Sequence, residues 1–176
     1  MSGFQQAVFL YAGAGVPGEM FSDYPRRAQT FEINSALASY NIIGATCFTV
    51  SSEGVAQAGN GSGFKSFAGF LFNPKVYALQ GVIGNTLGAT LVLPNFVIGE
   101  FMTEGNLWVT LPATANIGDL VIYDNVTGAI STITPTTALP SGKTFANAMV
   151  DYFAVPSGGG LAVITINPII IGTATP

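Results

Sequence analysis

The chain has 176 residues, a length typical of one domain, and carries a net charge of -4. Only 8% of its residues are Asp, Glu, Lys or Arg, against about 25% in typical soluble domains. Because it has no histidine and a single cysteine, it cannot supply a histidine-based catalytic triad, a Cys-rich zinc site or an intrachain disulfide. Its five basic residues are too few for the positive surface that nucleic-acid binding requires.

The sequence predicts neither a membrane-spanning helix nor a signal peptide. The longest apolar runs are interrupted within about a dozen residues, short of the ~20 that cross a bilayer. Residues 1–11 lack the basic opening of a secretory signal. The charge-poor composition instead indicates a surface of neutral polar and apolar groups. Residues 76–99 and 152–176 contain no charged side chain. Such a surface suits burial against partners, or a monomer that neutral polar groups keep in solution.

Residues 1–27 are predicted to form an N-terminal arm before the first regular strand. Within it, Val16, Pro17 and Gly18 have the residue order of a type II turn. Arg26 and Arg27, the only adjacent basic pair, close the arm. They either pair with acidic groups on a partner or solvate a turn. The sequence does not distinguish the two roles.

Residues 28–176 are predicted to form one all-β domain of short antiparallel strands, arranged as a β-sandwich, a jelly-roll-like fold or a partly open barrel. Runs of β-branched and aromatic residues alternate with turn residues, and no segment shows convincing helical periodicity. The predicted strands are residues 29–33, 42–50, 67–72, 90–98, 106–111, 119–123, 129–134, 145–150 and 161–166.

Residues 51–66 are predicted to be a flexible loop because of their glycine- and serine-rich centre. Lys65 and Ser66 follow the glycines, as in a phosphate-binding loop. However, Phe64 intervenes, and the next segment has the pattern of a strand rather than a helix. A plain surface loop is therefore the better interpretation.

No catalytic constellation is visible among the acidic residues or at the cysteine. On one strand Glu100 and Glu104 would stand about 13 Å apart, whereas glycosidases place their carboxyl groups roughly 5 to 9.5 Å apart. Asp119 and Asp124 would point to opposite faces of one strand. Cys47 lies in an apolar run and is expected to be a buried, inert thiol. A hydrolase built on cross-strand acids remains as the weakest alternative, and no cofactor or metal site is predicted.

Trp108 is the one candidate for an aromatic anchor. In residues 106–111 the alternation places Leu107, Val109 and Leu111 on one face and Trp108 on the other. If the first face is the core, Trp108 either points outward to hold a partner or is covered by another segment of the same chain.

The pattern resembles the capsid cement, or decoration, proteins of tailed bacteriophages. Four blocks in order carry the resemblance: Gly15-Val16-Pro17-Gly18-Glu19 with residues 23–27, residues 67–81, residues 105–130 around Ile117-Gly118-Asp119-Leu120, and Gly160-Leu161-Ala162-Val163-Ile164. The resemblance implies a non-enzymatic, all-β virion protein that is made in the host cytoplasm. It would bind the outer surface of the head in many copies and tie neighbouring major capsid proteins together as a dimer or trimer.

The family supplies no residue-level binding motif, so the interface candidates come from the residues themselves. They are Phe4, Phe9, Val16, Pro17, Arg26, Arg27 and Trp108. A second hypothesis follows from an outward Trp108 on a neutral polar face, namely a carbohydrate- or receptor-binding β-sandwich of a phage tail or surface protein.

Overall fold

The computed structural model describes residues 15–22, 25–60, 64–73 and 91–167. These ranges contain nine strands, and their only helical element is a 3-10 turn at Ala38–Tyr40. The strands are β1 (Arg27–Ile33), β2 (Cys47–Ser51), β3 (Val55–Ala58), β4 (Phe64–Leu71), β5 (Ile98–Leu111), β6 (Leu120–Asp124), β7 (Ile130–Ile133), β8 (Lys143–Tyr152) and β9 (Gly160–Ile166). The all-β prediction is confirmed.

The first five strands form a closed ring. The strand order is β1-β3-β2-β4-β5, and β5 pairs back to β1 along residues 27–32. All pairings in the ring are antiparallel except the short parallel contact of β1 with β3. Closure into a ring pairs strands that would otherwise be sheet edges.

The long strand β5 joins this ring to a second sheet. Its residues up to Glu104 pair with β1, and its residues from Gly105 onward pair with β9. Gly105 has a φ of 126°, a conformation that side chains rarely adopt. The glycine therefore lets one strand turn from the first sheet into the second, whose order is β5-β9-β8-β6-β7.

Residues 44–47, which lead into β2, bond to both ends of the second sheet. The Thr110 amide donates to the Gly44 carbonyl at 2.9 Å, and the Cys47 amide donates to the Gly128 carbonyl at 2.9 Å. Thr46 also forms a bridge with Ala129. Residues 44–47 thus connect β5 to the β7 side of the second sheet.

The buried apolar residues form two clusters, one within the ring and one that combines residues of both sheets. In the ring, Phe101 packs against Phe48 and Phe31 with ring centroids 5.1 and 5.8 Å apart. The ring cluster is Ile33, Ile43, Phe48, Val50, Ala56, Ala58, Ala68, Leu71, Leu93 and Phe101. The second cluster includes Leu107, Val109, Leu111, Val121, Tyr123, Ile130, Val150, Ile164 and Ile166, together with Cys47, Phe70 and Met102.

Two predicted strands begin later than expected. The strand predicted at residues 90–98 is reduced to its last residue, since β5 begins at Ile98. Residues 91–97 are not a strand, because Leu91 and Phe96 have positive φ values and Pro94 has no amide hydrogen to donate to a ladder. Residue 90 lies outside the described ranges. The strand predicted from residue 42 begins at Cys47. A turn precedes it, in which Gly44 has a φ of 66°.

The predicted flexible loop at residues 51–66 is wrong in part. Val55–Ala58 forms β3, which pairs with β2 and with β1, and β4 already begins at Phe64. In β3 every second residue, Ala56 and Ala58, is buried. The turn before it is held by the Ser51 hydroxyl, which accepts a hydrogen bond from the Val55 amide at 3.2 Å. Residues 61–63 lie outside the described ranges. The segment after the glycines is the strand β4, as predicted, and not the helix that follows a phosphate-binding loop.

The β6–β7 turn depends on the Asp124 carboxylate, and this predicts a pH dependence. The carboxylate accepts hydrogen bonds from the amides of Thr127 and Val126 at 2.9 and 3.0 Å, and from Lys143 Nζ at 3.2 Å. The Thr127 amide is the main cause that lowers the Asp124 pKa from 3.8 to about 2. A lowered pKa stabilises the fold above the unfolded-state value, so this contribution is lost as the pH falls from about 4 to about 2.

Asp124→Asn should therefore lower the free energy of unfolding at pH 7 by about 1 kcal/mol. The difference between wild type and variant should shrink as the pH falls toward 2, because the wild-type carboxyl becomes neutral too. Denaturant unfolding at several pH values measures this difference. A difference that stays constant from pH 7 to pH 2 would contradict the assigned role.

Candidate functional site

The described part of the predicted arm lies along β5 as an extra edge segment. The Gly18 amide donates to the Trp108 carbonyl at 2.8 Å, and the Trp108 amide donates to the Glu19 carbonyl at 2.9 Å. The Phe21 amide donates to the Asn106 carbonyl at 3.1 Å. Because β9 occupies the other side of this part of β5, residues 18–21 act as its second neighbour.

The same segment covers the Trp108 side chain. Trp108 stands in one row with Val163 and Tyr152 across β5, β9 and β8. Its indole stacks on Phe153 at 5.1 Å between ring centroids and meets the edge of Phe21 at 5.5 Å. Only 5% of Trp108 is exposed. Of the two alternatives for this residue, the structure shows the second, in which another segment of the chain covers the indole.

Two glycines permit the close approach of this segment. A Cβ on Gly15 would lie 2.4 Å from the Trp108 ring, so only glycine brings the backbone this close to the indole. A Cβ on Gly44 would lie 2.4 Å from the Gly18 nitrogen. The docked path of residues 15–18 therefore requires the absence of side chains at Gly15 and Gly44.

Around the buried indole lies a rim of exposed apolar side chains. Val16 is 42% exposed and Phe153 is 48% exposed, and Tyr152 is also exposed. We call the set formed by Val16, Phe21, Trp108, Tyr152 and Phe153 the arm-docking surface. Met20 lies opposite Leu107 and therefore on the other face of β5. Phe153 has a φ of 64°, a left-handed conformation uncommon for an aromatic residue. The indole anchors the segment, and the rim offers apolar area to a partner.

Comparison with known proteins identifies the family. The family model described as "Structural cement protein (E217 gp24/Pam3 gp6)" matches residues 4–167. The chain belongs to this family of structural cement proteins. Among solved structures, a chain from "The capsid of Myoviridae Phage XM1" has a TM-score of 0.57 at 17% sequence identity. The match covers 95% of this chain and 99% of that chain. A search of curated proteins gave no match.

Membership in this family makes the protein a structural, non-enzymatic component of the phage virion that stabilises the capsid. The cement protein is thus associated with the capsid shell, as the sequence resemblance implied. Within the described ranges no helix is long and apolar enough to span a membrane. In the same ranges no three metal-capable side chains come together.

The predicted interface residues do not all come together. Val16 and Pro17 belong to the docked segment, whose neighbouring residues Gly15 and Gly18 lie against Trp108 of β5. Arg26 lies beside it, since its Nη1 donates to the Met20 sulfur at 2.9 Å. Arg27 instead begins β1, opposite Glu104. Phe4 and Phe9 lie outside the described residues.

Sequence reasoning missed Phe21, Tyr152 and Phe153. Tyr152 and Phe153 are adjacent aromatics at the end of β8, a visible signal. Their contact with Trp108 depends on the β8–β9 register, which has a shift between Val150 and Tyr152. That irregularity is not readable from strand periodicity.

Three of the acidic residues considered for catalysis, Glu100, Asp119 and Asp124, accept hydrogen bonds within the fold. Asp119 accepts a hydrogen bond from the Asn116 amide at 2.8 Å, and Glu100 accepts one from Asn73 at 3.0 Å. Cys47 is fully buried, and burial raises the pKa of its thiol well above the usual value. The predicted burial of this thiol is confirmed. The carbohydrate-binding hypothesis loses its basis, because it required an outward Trp108.

Proposed function

We propose that the cement protein binds the outer surface of the phage head and ties neighbouring major capsid proteins together. In this proposal the arm-docking surface faces the shell, and the protein acts as a homodimer or homotrimer. The observation that carries the proposal is the apolar rim around Trp108, whose three side chains Val16, Tyr152 and Phe153 are exposed while the indole is buried.

The rim is suited to this task because it is already ordered. Residues 18–21 are held by backbone hydrogen bonds to β5. Side chains on a fixed backbone lose less conformational freedom on binding than side chains on an unstructured segment. An anchored rim can therefore convert more of its apolar contact into affinity.

The low charge of the chain supports the same proposal. Charged residues are depleted at the cores of protein interfaces, where aromatic residues and Met are enriched. The rim consists of Val16, Tyr152 and Phe153, and its two aromatic residues fit that composition. A contact of standard size buries about 800 Å² on each partner. Repetition of one modest contact at every equivalent position of the lattice would reinforce the seams between capsid proteins.

The proposal is tested by titrating purified protein onto heads that lack it and measuring co-sedimentation. Gly15→Ala places a methyl group against the indole and should displace the start of the docked segment. We expect it to weaken binding at least ten-fold, which is about 1.4 kcal/mol. Gly54→Ala is the control, because nothing lies within 4 Å of the added Cβ; it should bind like wild type.

Saturable wild-type binding at a fixed number of copies per head, weakened by Gly15→Ala alone, is the expected result. Two outcomes would refute the proposal. One is no binding of the folded wild type to heads. The other is equal affinity of Gly15→Ala and wild type, which would remove the arm-docking surface from the contact.

A further inference from the structure

The loop that leads into β5 presents two exposed apolar side chains at the first ring. Phe96 is 72% exposed and Ile98 is 60% exposed, whereas Val97 between them packs against the ring cluster. Phe96 also has a φ of 64°, a left-handed conformation that is an outlier for a bulky residue. Strain of this kind persists where surrounding contacts impose it, and it clusters at binding and active sites.

A set of hydrogen bonds around Phe96 holds the loop in this conformation. The Phe96 amide donates to the Ile33 carbonyl at 2.7 Å. The Asn95 side chain accepts a hydrogen bond from the Ser35 amide at 3.1 Å and donates one to the Ser35 carbonyl at 2.8 Å. The fully buried Asn41 side chain donates to Asn95 Oδ1 at 2.9 Å. Because the backbone is already fixed, an aromatic side chain presented on it requires little further ordering when a partner binds.

The face of the ring beside this loop is acidic. Glu32 pairs with Ile98 and Thr30 pairs with Glu100, so these four side chains lie on one face of the two strands. It is the outer face, because Phe101 on the opposite face belongs to the ring cluster. Glu32 is exposed, and within the described ranges no ion pair joins it to a basic side chain. Complementary charge therefore favours a partner that brings a basic side chain to this face.

A second copy of this chain fits the same face poorly. A two-fold contact places one patch against the identical patch of the other copy. It would bring Glu32 and Glu100 toward the same carboxylates of the other copy, and like charges across an interface are strongly unfavourable. A shell protein with an apolar pocket bordered by Lys or Arg meets both requirements. The pocket takes the exposed apolar side chains, and the basic border takes Glu32.

The strand β5 separates this face from the arm-docking surface. Ile98 begins the strand, and Trp108 lies ten residues further along it, a separation of up to ~33 Å at ~3.3 Å per residue. Ile98 pairs with β1 in the ring, whereas Trp108 pairs with β9 in the second sheet. Two contacts this far apart on one folded chain span a longer stretch of the shell than one contact can.

We infer that Phe96, Ile98 and Glu32 form a second contact with the shell, which we call the β5-entry surface. It inserts Phe96 into an apolar pocket with a basic border on a major capsid protein, apart from the contact made by the arm-docking surface. The inference rests on the proposed function and deepens it by adding a second surface and the chemistry of its partner. Because both surfaces belong to one chain, binding through one raises the effective concentration of the other.

The test is co-sedimentation of variants with heads that lack the protein. Phe96→Asn removes the aromatic ring and keeps the loop, because asparagine tolerates a left-handed conformation better than most residues. It should weaken binding at least ten-fold, while the midpoint of denaturant unfolding does not fall below that of wild type. Val126→Asn is the control, because Val126 is 68% exposed in the β6–β7 turn, outside both surfaces; it should bind like wild type.

Two further variants keep the test valid if Phe96→Asn alters the loop. Ile98→Thr keeps the β-branched shape and should also weaken binding. Glu32→Lys should weaken it more at low salt than at high salt, since the expected ion pair becomes a repulsion that salt screens. The double variant G15A/F96N should bind more weakly than either single variant, because distant sites contribute independently.

The outcomes separate this inference from the proposed function. If Gly15→Ala weakens binding but Phe96→Asn and Glu32→Lys do not, the proposed function stands and the β5-entry surface is excluded from the contact. If wild type does not bind heads, both are wrong. If Phe96→Asn abolishes self-association of the free protein in sedimentation equilibrium and leaves head binding unchanged, the surface joins copies of this chain, and the inference is likewise overturned.

Discussion

Trp108→Ala is expected to lower the free energy of unfolding by about 3–5 kcal/mol, the range for removing a large buried aromatic side chain. The indole is 5% exposed and contacts Phe21 and Phe153. Its loss leaves a cavity beneath the docked segment. Because residues 18–21 rest on it, the variant should also release this segment from β5.

Two measurements separate these effects. Denaturant unfolding gives the total loss in the free energy of unfolding. Phe145→Ala is the control, because Phe145 is an exposed aromatic residue on β8. Its removal should lower the free energy of unfolding by less than about 1 kcal/mol. Hydrogen exchange should accelerate at the amides of Gly18 and Phe21 more than at Gly59, whose amide bonds to Cys47 within the ring. A total loss below about 1 kcal/mol, or uniform acceleration, would contradict the anchoring role of the indole.

Gly128→Ala is expected to destabilise the fold by about 3 kcal/mol or more. Gly128 has a φ of 71°, and an added Cβ would lie 2.5 Å from the Cys47 carbonyl oxygen and 2.6 Å from the Gly59 nitrogen. A left-handed conformation costs an L-residue about 1–2 kcal/mol. Overpacking against the backbone adds about 1–3 kcal/mol. The site is the junction where β2 meets the turn that leads into β7.

Gly54→Ala is the matched control for this prediction. Gly54 has a φ of 79°, and nothing lies within 4 Å of its added Cβ. This variant should show the conformational cost alone, about 1–2 kcal/mol. Thermal or denaturant unfolding of both variants gives the steric cost as the difference. Equal losses for the two variants would mean that the junction relaxes freely and does not fix the two sheets together.

Several strands were predictable because their local patterns agree with the final fold. The turn at residues 125–128 was recognisable from its residues. It ends in a glycine with positive φ, and its Gly128 amide donates to the Asp124 carbonyl at 2.8 Å. Likewise, β9 is a continuous apolar run that is buried between two neighbours. Here local propensity and tertiary burial point the same way.

Other features were not predictable because tertiary contacts decide them. The four-residue strand β3 is rich in alanine and follows a turn, so propensity alone assigns it to a loop. Gly105 resembles a strand break, yet it is the residue that lets β5 continue into the second sheet. The burial of Trp108 depends on a segment almost ninety residues earlier in the chain. Alternation along one strand cannot reveal that cover.

The central claim, that the cement protein reinforces the head from outside through its arm-docking surface, is tested most directly by a cryo-EM reconstruction of heads saturated with the protein. We predict density for the fold on the outer surface at every equivalent lattice position, with Val16, Tyr152 and Phe153 within contact distance of major capsid proteins on both sides of a seam. Density inside the shell, contact with a single capsid protein only, or a shell-facing surface that excludes these residues would contradict it.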